Sequence, residues 1–191
     1  MQATELILGG ARSGKSRYGE QQMLTVQQIT GAEVVYIATA ENRDGEMQQR
    51  IEQHRRDRPA DWHTIEEPLD LAACLRQIQV NSPSAAVMVD CLTLWLTNGL
   101  LHSDPQFWPR QKQDFLQQLE RMQQPLVLIS NEVGLGIVPM GELSRRFVDE
   151  AGWLHQAIAR RVAHVTLVSA GLPMPLKRNG QPVSQAASLI N

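Results

Sequence analysis

Short apolar runs alternate along this chain with longer stretches of helical periodicity. The runs are Leu6 to Leu8, Val34 to Ala38, Ala85 to Val89, Leu126 to Ile129 and Val165 to Val168. Runs this short read as buried strands, and the gaps between them leave room for crossover helices, which is the rhythm of a parallel α/β sheet. Gly14 to Val26, Asp44 to Asp57, Leu69 to Gln79, Gln111 to Gln123 and Leu143 to Val162 read as helices. In the last of these, Leu143, Phe147, Ala151, Leu154, Ile158 and Val162 form one apolar stripe and are expected in the core. Asn98 to Pro109 reads as a loop. The tail beyond Gly171, with Pro173, Pro175 and Pro182, shows no clear period, so residues 172–191 are expected to be less regular. The scattered glutamines fit solvated helix faces, and no internal repeat is present.

Composition narrows the class. At 191 residues the chain is expected to form one domain, given about 150 residues per domain. A domain of this size buries roughly 70% of its unfolded surface and needs no metal or disulfide staple. The formal charge of -2 and the lack of a basic arm argue against nucleic acid as a partner and leave small ligands. Cys74 and Cys91 read as reduced, buried side chains, and with no signal peptide the cytoplasm is the expected compartment. No apolar run approaches the roughly 18 residues of a membrane span, and Glu5 interrupts the apolar start.

The sharpest chemical signal is Gly9-Gly10-Ala11-Arg12-Ser13-Gly14-Lys15-Ser16, a P-loop pattern placed between a strand and a helix. Its glycines let backbone N–H groups converge on phosphate oxygens, the helix N-terminus adds partial positive charge, and Lys15 reaches the β- and γ-phosphates. Ser16 then offers a hydroxyl to Mg²⁺. The plain alternative is a glycine turn followed by a solvated lysine. A P-loop enzyme also needs a carboxylate at the end of a neighbouring buried strand for Mg²⁺ or its water, and Asp90, closing Ala85 to Val89, supplies one. Asp at a strand end can equally cap a turn.

A second unusual stretch runs from Arg50 to Pro59. On a helix over Asp44 to Asp57, Met47, Ile51 and His54 share one face, so His54 is expected to point inward. Arg50, Arg55, Arg56 and Arg58 surround it with cations that could hold phosphates and bias the imidazole toward its neutral, nucleophilic form. By spacing alone, a hydrogen-bonded structural histidine is the commoner role.

Taken together, Gly9 to Ser16, Tyr36-Ile37-Ala38-Thr39-Ala40, Arg50-Ile51 with His54 and Arg58-Pro59, and Asn131-Glu132-Val133-Gly134-Leu135-Gly136-Ile137-Val138-Pro139 resemble one family. It is the bifunctional adenosylcobinamide kinase / adenosylcobinamide-phosphate guanylyltransferase family of cobalamin biosynthesis, and the likeness runs from about residue 6 to 170 in the same order. The resemblance implies a RecA-like P-loop fold and a homo-oligomer, a trimer by analogy. It implies phosphorylation of the adenosylcobinamide hydroxyl by ATP or GTP, then transfer of GMP from GTP to that phosphate through a GMP-histidine intermediate. The motif histidine falls on His54, which outweighs the structural reading. The implied nucleotide contacts fall on Gly9, Gly10, Ala11, Arg12, Ser13, Gly14, Lys15 and Ser16, on Ala38, Thr39 and Ala40, on Arg55, Arg56, Asp57 and Arg58, on Glu66, and on Asp90. Lys15 and His54 are the implied catalytic residues, with Ser16 and Asp90 toward Mg²⁺. Two positions depart from some members. Asp90 stands in place of Glu, a shorter reach that leaves its role open between Mg²⁺ and ribose, and Gln53 replaces a second histidine before His54. The Asn131 to Pro139 loop reads either as a glycine-rich turn after the strand Leu126 to Ile129 or as a wall of the corrinoid pocket at the carboxyl ends of the strands; the second reading is favoured, with Glu132 as the residue to test.

Two rival readings differ in class. A single-activity P-loop kinase would leave His54 structural and form no GMP adduct. A GTP-dependent switch would need an Asn-Lys-x-Asp guanine motif, and Asn131 is instead followed by Glu132.

Overall fold

The computed structural model describes residues 4–41 and 59–183. Their strands join one eight-stranded sheet in the order β3-β2-β4-β5-β1-β6-β7-β8. The strands are β1 (Thr4–Gly9), β2 (Val34–Ala38), β3 (His63–Glu66), β4 (Ala86–Asp90), β5 (Leu126–Asn131), β6 (His164–Ser169), β7 (Leu172–Arg178) and β8 (Gln181–Pro182). The first six run parallel, and β7 and β8 add an antiparallel edge.

Alternation within these strands sorts side chains to two faces. Ile7, Tyr36, Met88, Val127 and Ile129 pack on one face with Met23 of α1 (Lys15–Thr30). Leu6, Val35, Ile37, Val87, Val89 and Leu128 pack on the other. That second face is covered by α2 (Leu71–Asn81), α3 (Leu92–Leu100), α4 (Phe107–Arg121) and α5 (Glu142–Arg161). Trp95 of α3 anchors this layer, edge-on to Trp108 with centroids 4.9 Å apart and 5.0 Å from Phe115. Its indole N–H donates to the Leu69 carbonyl at 2.8 Å, so the buried polar atom is satisfied.

Four sequence expectations change. The Asn98 to Pro109 loop is shorter than expected. Its first residues belong to α3, where Asn98 is a buried polar anchor, and α4 begins at Phe107. The strand β3, with a single apolar residue in His63-Thr64-Ile65-Glu66, lies at the sheet edge and carries too little hydrophobic pattern to announce itself. Leu143 is 51% exposed at the first turn of α5, while Ala151, Leu154, Ile158 and Val162 are buried as the stripe requires. The segment after Gly171 is regular through Pro182. Pro173 and Pro175 stand two residues apart, so their missing N–H groups fall on one side of β7. Because β8 pairs only with Lys177 and Arg178, this stretch of β7 has β6 as its single partner, an arrangement that tolerates proline.

That edge ties the sheet's far side together. Glu5 is 8% exposed in the middle of β1's neighbours, and Arg178 of β7 donates to its carboxylate at 3.2 Å and to Thr166 Oγ1 at 3.0 Å. Thr166 in turn donates to Glu5. Lys177 donates to the Ala159 and Val162 carbonyls at 2.7 and 2.8 Å, satisfying acceptors left free at the end of α5.

Asn98 joins the helical layer to the strand ends. Its side-chain amide donates to the carbonyls of Thr39 at 2.9 Å and Pro68 at 3.1 Å, just beyond β2 and β3. Asn98→Leu removes both donors and leaves two carbonyls without partners, so stability should fall by about 1–3 kcal/mol. Urea unfolding should show a lower midpoint at unchanged slope. An unchanged midpoint would mean that these carbonyls are satisfied in another way.

Candidate active site at the carboxyl edge of the sheet

Parallel register brings the last residues of five strands to one edge. Ala38 pairs with both Glu66 and Asp90, Asp90 with Ile129, and Gly9 with both Asn131 and Val168. In open parallel sheets, ligands bind outside this edge. The P-loop rises there from β1, directly into α1.

The loop is held from inside and from outside. Ser13 N–H donates to Gly10 O at 3.3 Å, and Lys15 Nζ donates to the same carbonyl at 3.2 Å. Gly14 adopts φ 93°, and a Cβ there would also lie 3.2 Å from Gly171 Cα, so the position calls for glycine on both counts. Gly171, in the turn from β6 to β7, donates its N–H to Ser13 O at 2.9 Å. Arg12 sits exposed at φ 56°, a left-handed conformation that costs a non-glycine residue roughly 1–2 kcal/mol. The loop geometry holds it there.

No side chain caps the start of α1, and its first turn carries no acidic residue. The first N–H groups of the helix therefore face the cradle with partial positive charge, as an anion site requires. Two further polar atoms flank Gly9. Ser13 Oγ and Asn131 Oδ1 are both buried and lack a hydrogen-bond partner, which in a folded interior points to a missing ligand or water. This cradle fits triphosphate oxygens and the water shell of their cation.

Next to it, Thr39 locks β2 to β4. Its hydroxyl donates to Cys91 O at 2.6 Å and accepts the Cys91 N–H at 2.9 Å. The peptide between Asp90 and Cys91 is cis. Asp90 and Ser16 are both partly exposed at this edge. The Asp90 carboxylate and the Lys15 ammonium both lie close enough to act on the Cys91 thiol. Burial pushes that thiol up to about 11, with Asp90 adding to the rise and Lys15 opposing it.

Of the residues singled out in the sequence, Gly9 to Ser16, Ala38, Thr39, Ala40, Glu66 and Asp90 gather on this edge. Thr39 is fully buried and acts through its hydrogen bonds, whereas Glu66 is exposed. His54, Arg55, Arg56, Asp57 and Arg58 lie outside the described residues. Three supports escaped the sequence reading: Asn98, Gly171 and His155 reach the edge from distant segments, and no local motif marks them.

Beside the edge, α3, the loop after β5 and the start of α5 enclose an apolar cavity of about 440 Å³, lined by Thr97, Leu100, Val133, Pro139, Leu143 and Phe147 among others. Val133 and Pro139 of this lining come from the Asn131 to Pro139 loop. No helix among the described residues is long and apolar enough to cross a membrane.

Comparison with known proteins agrees with this geometry. The chain is 55% identical over 179 residues to the bifunctional adenosylcobalamin biosynthesis protein CobP of Pseudomonas aeruginosa, covering 94% of this chain and 99% of that protein. It is 37% identical over 185 residues to the bifunctional adenosylcobalamin biosynthesis protein CobU of Escherichia coli, covering 90% and 98%. Among solved structures, a KaiC-like protein from Pyrococcus horikoshii OT3 superposes with a TM-score of 0.51 at 14% identity, over 86% of this chain and 70% of that one. A solved ATPase domain reaches 0.54 at 15% identity, over 96% and 79%. These two likenesses bear out the RecA-like P-loop fold. The family model described as cobinamide kinase / cobinamide phosphate guanyltransferase matches residues 5–176, and the chain belongs to that family.

Proposed function

We propose that the chain phosphorylates the aminopropanol hydroxyl of adenosylcobinamide with ATP or GTP, then transfers GMP from GTP to that phosphate, giving adenosylcobinamide-GDP and pyrophosphate. The observation that carries this reading is the uncapped start of α1 under the P-loop, at the same sheet edge as Asp90, in a chain of this family.

In the first reaction the backbone N–H groups of the P-loop and Lys15 bind and orient the triphosphate, so that its terminal phosphorus faces the acceptor. Ser16 and Asp90 would hold Mg²⁺. Among the described residues no group of three or more His, Cys, Asp or Glu could hold a metal, so the remaining oxygen ligands would come from the nucleotide and water. The ion supplies neutralisation of charge on the phosphates when bound. Ala38, Ala40 and Glu66 are read as further nucleotide contacts along the same edge, with buried Thr39 supporting them from behind through its hydrogen bonds to Cys91.

In the second reaction His54 is read as the nucleophile. Its ring nitrogen forms a bond to the α-phosphorus of GTP as the bond to pyrophosphate breaks. The substrate phosphate then attacks the same phosphorus and releases the imidazole. Arg55, Arg56 and Arg58, with Asp57 among them, are read as the charge environment of that step.

Assembly belongs to the same reading. Leu172, Met174 and Leu176 alternate along exposed β7, and Ile137 and Met140 are almost fully exposed in the loop after β5. Apolar side chains so placed support a homo-oligomer, a trimer by family likeness. The reading places the enzyme in the cytoplasm, with nucleotides and the corrinoid as partners and no role for nucleic acid.

Three substitutions test it. Lys15→Ala should lower phosphorylation by on the order of 10²-fold or more and weaken nucleotide binding by calorimetry, with the circular dichroism spectrum unchanged. Normal phosphorylation by that variant would remove the phosphate cradle from the mechanism. Asp90→Asn keeps the shape and loses the charge, so turnover should require more Mg²⁺ while the melting temperature barely moves. An unchanged Mg²⁺ titration assigns Asp90 to ribose or to structure. His54→Ala should abolish GMP transfer and leave phosphorylation largely intact. With labelled GTP, the native protein should retain an adduct that hydrolyses in acid and survives base, the signature of a phosphoramidate. Retention of that adduct by His54→Ala moves the nucleophile to another residue, whereas its absence from the native protein supports the single-activity kinase.

A further inference from the structure

A buried polar chain behind β5 lies outside the phosphate cradle, and the reactions above leave it without a role. Glu132 is the first residue past β5, and its N–H donates to Gly9 O at 3.0 Å, which fixes its backbone at the root of the P-loop. Its Oε1 accepts the Gly134 N–H at 2.6 Å, while Oε2 lies 3.9 Å from His155 Nδ1. His155 comes from α5 and is 7% exposed. Its other ring nitrogen is 2.8 Å from Ser130 Oγ, which is 3.3 Å from Thr93 Oγ1, and Thr93 Oγ1 accepts the Asn131 N–H at 2.7 Å.

The proton positions follow from this chain. A bare ring nitrogen facing the carboxylate would set lone pairs against each other, so the Nδ1 proton faces Glu132. Nε2 then accepts from Ser130, and Ser130 accepts from Thr93. Burial holds the His155 pKa below its ordinary value, with the Glu132 charge opposing that shift. His155 therefore serves as a neutral prop. Glu132 itself keeps 23% of its side chain exposed. Its backbone meets Gly9 at the root of the P-loop and its chain neighbour Val133 lines the apolar cavity, so Glu132 links the cradle to a pocket of a chemistry that suits an aliphatic arm.

We propose that Glu132 is the general base of phosphoryl transfer, taking the proton of an aliphatic alcohol whose arm occupies the Val133–Phe147 cavity, and that His155 is the residue that positions it. The inference rests on the kinase reading and adds its proton acceptor. The hydroxyl oxygen forms its bond to the γ-phosphorus as the bond to the β,γ-bridging oxygen breaks. The electron pair of the broken bond leaves on the nucleoside diphosphate, and the hydroxyl proton passes to the Glu132 carboxylate, whose open side returns it to solvent.

The test uses the full chain and measures the two half-reactions separately: phosphorylation of adenosylcobinamide by ATP or GTP, and formation of the GMP adduct from GTP alone. Glu132→Gln should lower the kcat of phosphorylation by on the order of 10²-fold, with nucleotide KM and adduct formation close to wild type. Glu132→Asp should recover part of that kcat. His155→Gln should lower the same kcat by a smaller factor, and adding Glu132→Gln to it should cost less than in the wild-type background. Wild-type kcat in a folded Glu132→Gln protein, equal loss of both half-reactions, or rescue by excess Mg²⁺ would each overturn the proposal. A native chain that forms the adduct yet phosphorylates no alcohol would overturn the kinase reading instead.

Discussion

Parallel pairing is the constraint on which the site depends. Because β1 through β6 all run the same way, their final residues meet at one edge, and the register places Glu66, Ala38, Asp90, Asn131 and Gly9 there in spatial order. Antiparallel pairing would have sent half of these to the opposite end. Alternating burial enforces the register, since a slip of one residue in β4 would exchange Val87 and Val89 with Ala86 and Met88 between two differently shaped cores. The same packing that stabilises the sheet thus aligns its chemistry.

The P-loop itself has little apolar contact to hold it, and backbone hydrogen bonds from distant segments do so instead. Gly171 holds Ser13 from the β6–β7 turn, and Glu132 holds Gly9 from beyond β5. The antiparallel edge gains a purpose from this. By pairing Arg178 with buried Glu5 and capping α5 through Lys177, it fixes the turn that carries Gly171. A flexible tail could not constrain a glycine in contact with the cradle.

How much of this is legible in the sequence depends on the range of the interaction. Five of the six parallel strands announce themselves as apolar runs, because strands buried on both faces need continuous hydrophobicity. The edge strand β3 does not, being covered on fewer sides. The start of α3 is hidden because Leu92-Thr93-Leu94-Trp95-Leu96 follows the strand after only Asp90 and Cys91, too short a break to read as a loop, and its N-cap, Cys91, makes no side-chain cap hydrogen bond. The alternation of Leu172, Met174 and Leu176 with Pro173, Pro175 and Lys177 is a strand pattern, masked by the weight usually given to proline. The P-loop is local and was readable in full. The partnership of Glu132 with His155 joins a strand end to the fourth turn of a helix, and no spacing rule connects them.

The site's electrostatics also bear on which residue can act covalently. Cys91 adjoins Asp90, close to the bound phosphates of the proposed mechanism, and a thiolate there would compete for phosphorus. Burial and the Asp90 charge push its thiol up to about 11, and Cys74 is raised to the same level by burial together with Glu67 and Asp70. Both therefore remain protonated near neutral pH. Lys15 is already committed to the P-loop, donating to Gly10 O, and His155 is turned away, hydrogen-bonded to Ser130 with its other ring nitrogen 3.9 Å from the Glu132 carboxylate. The thiols, Lys15 and His155 are thus each protonated or engaged in this arrangement, which keeps them in positioning roles around the cradle.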